Sequence, residues 1–384
     1  MAGSVPWVRV VVVGAGAWGL PAAAELARRG HRVELVDAHG PASPLGSSSG
    51  ATRLWRLSHP DRVRVRLAAR AVQAWKRLEA RSGHSLLLRR GLLWRDAGSG
   101  EQVAAALQAE SVAHELVEAP DVGRFLRGLR PNGVGSVWQA DAGPVLAELA
   151  LSAQLEAFVS AGGTLRTVDR VTGVHPGDDE VTLTMAQTPP LAADVVVLAP
   201  GPWAPALLAG LGVDLPLWPV LEQVTYLRGA PGWEDLPCWY EGEHDGRPGL
   251  YAMPTPGLGY KVGIDRALRA LQPDDTDRTP DPRIEREIAA RVGADLVSVH
   301  PEPVASQVCS WTDSPDGRFV IDRLHGGRVV LACGDSGEGF KFSALMGEVL
   351  ADLAEGSNPD DDIGSFSLAR FGGAPPQQRP SLGR

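Results

Sequence analysis

Residues 8–13 form a valine-rich, β-branched run interrupted only by Arg9, the pattern of a parallel strand covered on both faces. GAGAWG follows at 14–19, then a stretch of helical composition at 21–29 that stops at Gly30, a suitable C-cap. Residues 32–36 read as a second strand ending at Asp37, which completes a βαβ unit. Residues 41–53 are polar and small, and read as a flexible segment. Helical composition resumes at 63–81, strand character at 86–94 and helix at 101–110. A helix-then-strand set spans 145–171, and VVVLAPG (195–201) and VVLACG (329–334) repeat the buried-strand type before a helix at 344–354. Between 215 and 311 the texture differs: Pro and Trp are frequent, and apolar residues alternate over short runs such as 223–227 and 260–264. That suits an antiparallel sheet with one covered face. The composition of 372–384 predicts a disordered tail, and no repeat of fixed period is present.

Buried parallel strands at the start, middle and end, with sheet segments between them, predict an α/β chain (α+β overall). The expected architecture is a discontinuous Rossmann-like nucleotide domain over 1–82, 141–217 and 316–371. A second, antiparallel-sheet substrate domain is inserted twice, over 83–140 and 218–315.

Composition narrows the function. The 384 residues are 44% hydrophobic and 22% charged, as in a globular protein rather than a disordered chain. A net charge of −9 argues against a nucleic-acid partner, whose phosphates need a positive surface. The three cysteines, Cys238, Cys309 and Cys333, make no disulfide framework. No secretory leader is evident, and Gly14, Gly16, Gly19, Pro21, Arg9 and Glu25 interrupt the apolar stretch 8–27, so no membrane span is expected. A soluble cytoplasmic protein is expected. The nine histidines form no close-spaced set with cysteines, so no metal site is indicated, and no G-x-S-x-G elbow occurs. Of 37 basic residues only three are lysine: Lys76, Lys261 and Lys341. GC-rich coding accounts for an arginine excess but not for where the exceptions fall.

Gly14, Gly16 and Gly19 form G-x-G-x-x-G between a strand and a helix. The first allows the tight turn, the second lets a pyrophosphate approach the backbone, and the third lets helix and strand pack. The helix N-terminus then offers free amides to phosphate, and Asp37 stands where an acid bonds the ribose hydroxyls. The motif does not separate FAD from NAD. GSSSGATRLWR (46–56) then delivers Arg53 and Arg56, three residues apart. If Arg53 begins a helix, both point to one side, and guanidinium groups suit a bidentate grip on a carboxylate.

With VVVGAGAWG, TRLWR, YKVGID (260–265), VCSWTDSPDGRFVID (308–322) and GDSGEGFKFS (334–343) in this order, the sequence resembles a family of flavin-dependent amine oxidases over roughly residues 8–355. That family includes monomeric sarcosine oxidase, N-methyltryptophan oxidase and the flavin oxidase of nikkomycin biosynthesis. The resemblance implies a Rossmann-like FAD-binding domain and FAD tethered to Cys309 through a thioether. It assigns Lys261 to oxygen activation, Lys341 and Arg56 to the substrate carboxylate, Arg53 to the face of the flavin ring and Tyr251 to the substrate cavity. It further places Ser48, Thr52, Val171, Gly337, Gly339 and Lys341 beside the cofactor.

The chain departs from the family pattern at Ser48 and Ser49, where the family has two histidines. It departs again at Asp265 and Glu338, each in place of a histidine, and at Trp311 in place of a tyrosine. The implied chemistry is two-electron oxidation of an amino or imino acid to an imine, with oxygen reduced to hydrogen peroxide. The substrate would be a secondary amine, N-methyl or cyclic, bearing an α-carboxylate. The departures point away from sarcosine, with Asp265 and Glu338 suited to an added cationic or hydroxyl group and Trp311 to a flat ring. A monomer is expected. The alternatives are a flavin dehydrogenase or a biosynthetic ring-oxidising enzyme using another acceptor, and a non-catalytic dinucleotide-binding subunit.

Overall fold

The computed structural model describes residues 8–372, so the expected tail lies outside the described residues beyond Gly372. One layer is a six-stranded sheet in the order Val320–Leu324, Val329–Cys333, Val195–Leu198, Arg9–Val13, Arg32–Asp37, Thr164–Thr167. Arg9–Val13 is central and parallel to both neighbours, with Val11 opposite Glu34 on one side and Val196 on the other. Its four valines are buried because both faces are covered. On one face, helix Gly19–Arg28 packs against helices Ala147–Ser160 and Ser343–Ala354. On the other, Val11, Val13 and Val196 join Val174, Val181 and Leu183 from a three-stranded antiparallel sheet.

The second large layer is a nine-stranded mixed sheet. Its longest pairing joins Trp218–Gly229 to Val299–Asp313, antiparallel, with Glu222 directly opposite Cys309. Two parts of 215–311 depart from the antiparallel expectation. Cys238–Glu241 runs parallel to Leu92–Arg95. Residues Pro282–Asp295 form a helix, with Asp281 as N-cap and Pro282 at the first position. Ile284, Ile288 and Val292 follow helical spacing there, so the signal was present in the sequence.

The strand expected at 86–94 is confined to Leu92–Arg95, because the amides of Leu86 and Leu87 donate to Glu79 Oε1 instead, at 2.6 and 2.9 Å. Arg53 does not begin a helix. Thr52–Trp55 is a strand pairing with Gly143–Leu146, and the helix starts at Arg62 behind an Asp61 cap. The preceding small-residue segment is a chain of turns that ends buried, at Ser49 and Thr52. Among the described residues, no helix is long and apolar enough to cross a membrane. Nor does any group of His, Cys, Asp and Glu there have metal-holding geometry.

Candidate functional site

The glycine turn sits where Arg9–Val13 meets the helix at Gly19. A Cβ on Gly14 would lie 2.3 Å from the Ala199 carbonyl oxygen, and one on Gly19 would lie 1.9 Å from the Gly14 oxygen. Each approach therefore needs glycine, and Gly14 also has φ +102°. Asp37 closes the turn: Oδ2 accepts from the Ala15 amide and Oδ1 from those of His39 and Gly40, each at 2.7 Å. Ser48 Oγ accepts from the Ala17 amide at 2.9 Å. A glycine turn at a helix start, beside an acid at the adjacent strand end, is the cradle arrangement that receives a dinucleotide's phosphates and ribose.

From this cradle a cavity of about 610 Å³ runs between the two large sheets. Gly14, Gly16, Asp37, Ser48 and Val171 line its first part. Arg53, Arg56, Tyr251, Lys261, Asp265, Cys309, Trp311, Gly337, Glu338, Gly339 and Lys341 line the rest. Gly19, Ser49 and Thr52 stand behind the wall. Thr52 is fully buried, and its carbonyl accepts from Lys261 Nζ at 2.8 Å. A cavity lined by the glycine turn, by Asp37 and by the free cysteine Cys309 fits the chemistry of FAD.

The two arginines diverge. Arg53 spends its guanidinium on the backbone, with Nη1 donating to the Thr52 carbonyl at 2.9 Å and Nη2 to that of Ser47 at 2.9 Å. It thereby pins the serine-rich turns. Arg56 is buried over Trp94, its guanidinium carbon 4.6 Å from the ring centre. Its Nη1 donates to the Ser58 carbonyl, and its Nη2 donates to Glu338 Oε1 at 2.7 Å.

Glu338 is the centre of a charged cluster. Arg64 Nη1 approaches Oε2 at 3.1 Å, and Lys341 Nζ and His59 Nδ1 each lie 3.9 Å from Oε1. Burial opposes ionisation of Glu338, yet Lys341, Arg64 and Arg56 outweigh it and hold the carboxyl well below the usual carboxylate range. Burial pushes Lys341 down to about 7 despite Glu338, and keeps His59 neutral. Glu338 is therefore engaged by cations of the chain itself. The expectation that it receives an added cationic group on the substrate does not hold, because its charge is already matched.

The loop bearing Glu338 is held from behind by two indoles. Trp18 Nε1 donates to the Gly339 carbonyl at 3.0 Å, and Trp75 Nε1 to the Lys341 carbonyl at 2.7 Å.

At the far wall the environment reverses. Glu222 is buried, and burial together with nearby Asp265 raises its carboxyl to about 8. Tyr251 Oη donates to Glu222 Oε2 at 3.1 Å, and Oε1 has no hydrogen-bond partner. Burial and Arg53 push Lys261 down to about 7. Burial and Glu222 push the Cys309 thiol up, so the free thiol is not a resting thiolate. Trp311 is fixed by an indole donation to Asp313 Oδ1 at 2.9 Å.

Three participants escaped the sequence reading: Arg64, Glu222 and His59. Glu222 carried a usable signal, an acid inside the apolar run VLEQVTYL. Arg64 carried none, standing as one arginine among Arg62, Arg64 and Arg66 at the start of a helix.

Residues 9–353 match the family model described as FAD dependent oxidoreductase. Monomeric sarcosine oxidase of Streptomyces avermitilis is 29% identical over 96% of this chain and 99% of its own length. That of a Bacillus species is 30% identical, covering 94% of this chain and 95% of its own. Among solved structures, the open form of NikD, an unusual amino acid oxidase essential for nikkomycin biosynthesis, superposes with a TM-score of 0.83. It is 28% identical and covers 94% of this chain and 97% of its own.

Proposed function

We propose that this chain, which belongs to the FAD dependent oxidoreductase family, is an oxidase of an amino or imino acid whose α-carbon bears a carboxylate and a secondary amine. The observation that carries the reading is the joining of a dinucleotide cradle to a buried cation cluster, Arg56, Arg64 and Lys341, within one cavity. The sarcosine and N-methyl-L-tryptophan oxidases among the relatives support an N-alkylated substrate. The inserted two-domain organisation is part of this reading, supported by two large sheets whose residues both line the cavity.

FAD, when bound, supplies the two-electron acceptor, and oxygen is the final oxidant, leaving hydrogen peroxide. Gly14, Gly16 and the helix N-terminus would hold the FAD pyrophosphate, Asp37 its ribose, and Cys309 is the residue that would tether it. Arg56 and Lys341 draw the substrate carboxylate to one end, which fixes the amine and its neighbouring C–H toward the Cys309 wall. Trp311 and the stacked Trp94–Tyr240 pair, 3.7 Å between centres, bound the side-chain space. Lys261 holds positive charge where oxygen takes up electrons, positioned by the Thr52 carbonyl.

Peroxide formation in air, scored over a panel of N-methyl and cyclic imino acids, tests the reading. Production with a carboxylate-bearing member and none with its decarboxylated analogue is the expected outcome. Acid precipitation tests the tether: a yellow pellet is expected from the wild type and a colourless one from Cys309→Ala. Flavin released wholly into the wild-type supernatant removes the covalent claim.

A further inference from the structure

We propose that Glu338 is a resident carboxylate occupying the seat of the substrate's carboxylate, and that it sets selectivity by competing for Arg56. The inference rests on the amino-acid reading above and names the residue that tunes it.

Arg56 has no free bidentate face. One nitrogen is committed to the Ser58 carbonyl and another to Glu338 Oε1, while the Trp94 ring fixes the guanidinium plane. A second carboxylate can form the paired hydrogen bonds that guanidinium favours only if Glu338 yields. It is the Glu338 side chain alone that can yield, because its amide donates to the Asp335 carbonyl at 2.9 Å and its carbonyl accepts from Lys341 Nζ at 3.2 Å. It is flanked by Gly337 (φ +74°) and Gly339, and it is about a quarter exposed to the cavity. Its Oε2 has an ion pair with Arg64 but no hydrogen bond. Arg64 reaches it from the far side, where it also donates to the Gly317 carbonyl. Arg64 thus retains Glu338 after Arg56 is surrendered. Charge arithmetic leaves room for it: Arg56 and Arg64 supply two positive charges and Glu338 removes one, so at least one remains for a monocarboxylate, and Lys341 adds to it when protonated.

The exchange has a consequence for selection. A ligand lacking a carboxylate leaves the Arg56–Glu338 pair closed. A ligand with one must offer a better-placed carboxylate than the resident, so affinity is lowered for every acid and weak acids are rejected.

Benzoate binding to the flavin-loaded protein, measured by titration calorimetry near neutral pH, tests this. Glu338→Gln keeps the shape and removes the charge, and is expected to tighten benzoate on the order of 10-fold or more. Glu338→Asp, one methylene shorter, is expected to tighten it less. A merely structural role predicts the opposite sign, because loss of an anchor for Arg56 weakens an acid. If both variants bind benzoate as the wild type does, or more weakly, the resident-carboxylate role is overturned. Arg56→Gln separates this from failure of the amino-acid reading. If Arg56→Gln abolishes binding while the Glu338 variants change nothing, the anion seat stands and the competition fails. If benzoate binding ignores Arg56→Gln and Lys341→Met alike, the anion seat itself fails.

Discussion

Glu338 and Glu222 line one cavity and are held in opposite states. Glu338 faces Arg56, Arg64 and Lys341 and stays charged. Glu222 faces Tyr251 and Asp265, and burial together with Asp265 raises it to about 8 because Tyr251, Lys261 and Arg53 offset only part of that. Burial alone favours the neutral form of both, so the difference lies in the number of cations within reach. The cavity therefore has one end where a carboxylate is held charged by cations and another, with Lys261 and Cys309, where a carboxylate is held neutral.

The division is broken most severely at the Lys261 end. Lys261→Met is expected to slow reoxidation by oxygen on the order of 100-fold while anaerobic reduction by substrate stays within about threefold. Stopped-flow traces of the two half-reactions decide it, and equal slowing of both contradicts the division. The same lysine gives a pH signature. With its ammonium titrating at about 7, the charge is present below that value and lost above it, so the oxygen step is expected to slow as pH rises through about 7. Lys261→Met is expected to flatten that profile.

At the charged end, Arg56→Gln is expected to lower kcat/KM by roughly 10- to 100-fold, mostly through KM. An unchanged KM would show that the carboxylate is held elsewhere. The smallest effect is thermodynamic. Folded Glu222 keeps its proton to about 8, whereas an ordinary glutamate releases it near 4.5. The folded form thus binds the extra proton between these values, and stability from this group falls as pH rises through that window. Glu222→Gln is neutral throughout. Between about pH 5 and pH 7 its melting temperature is expected to fall less than the wild type's, by roughly 2–5 °C. Parallel melting profiles would place Glu222 in a more polar setting.

Legibility followed the range of the interactions. The βαβ unit and glycine turn were readable because a strand, a turn and a helix impose their pattern over neighbouring residues. Lys261 and Lys341 stood out as exceptions in an arginine-rich chain, and both prove buried in the cavity wall, whereas Lys76 is exposed on its helix. The Arg53–Arg56 pair was visible, but its division of labour was not. Pairing with Gly143–Leu146 makes Thr52–Trp55 a strand, and that contact is nearly a hundred residues away in sequence. Glu338 was visible as a departure and misread, because Arg64 and Arg56 reach it across the fold.

The indole donations from Trp18 and Trp75 fix the backbone at Gly339 and Lys341, and Glu338 is held through its own amide and carbonyl, so the backbone here does not depend on the side chain at 338. That arrangement separates what a descendant of this protein can alter from what it must keep. A replacement at 338 rewrites which acids are admitted while the adjoining lysine and the flavin-side wall stay in register. Substrate preference can thus drift by single substitutions within a lineage without rebuilding the oxidation apparatus.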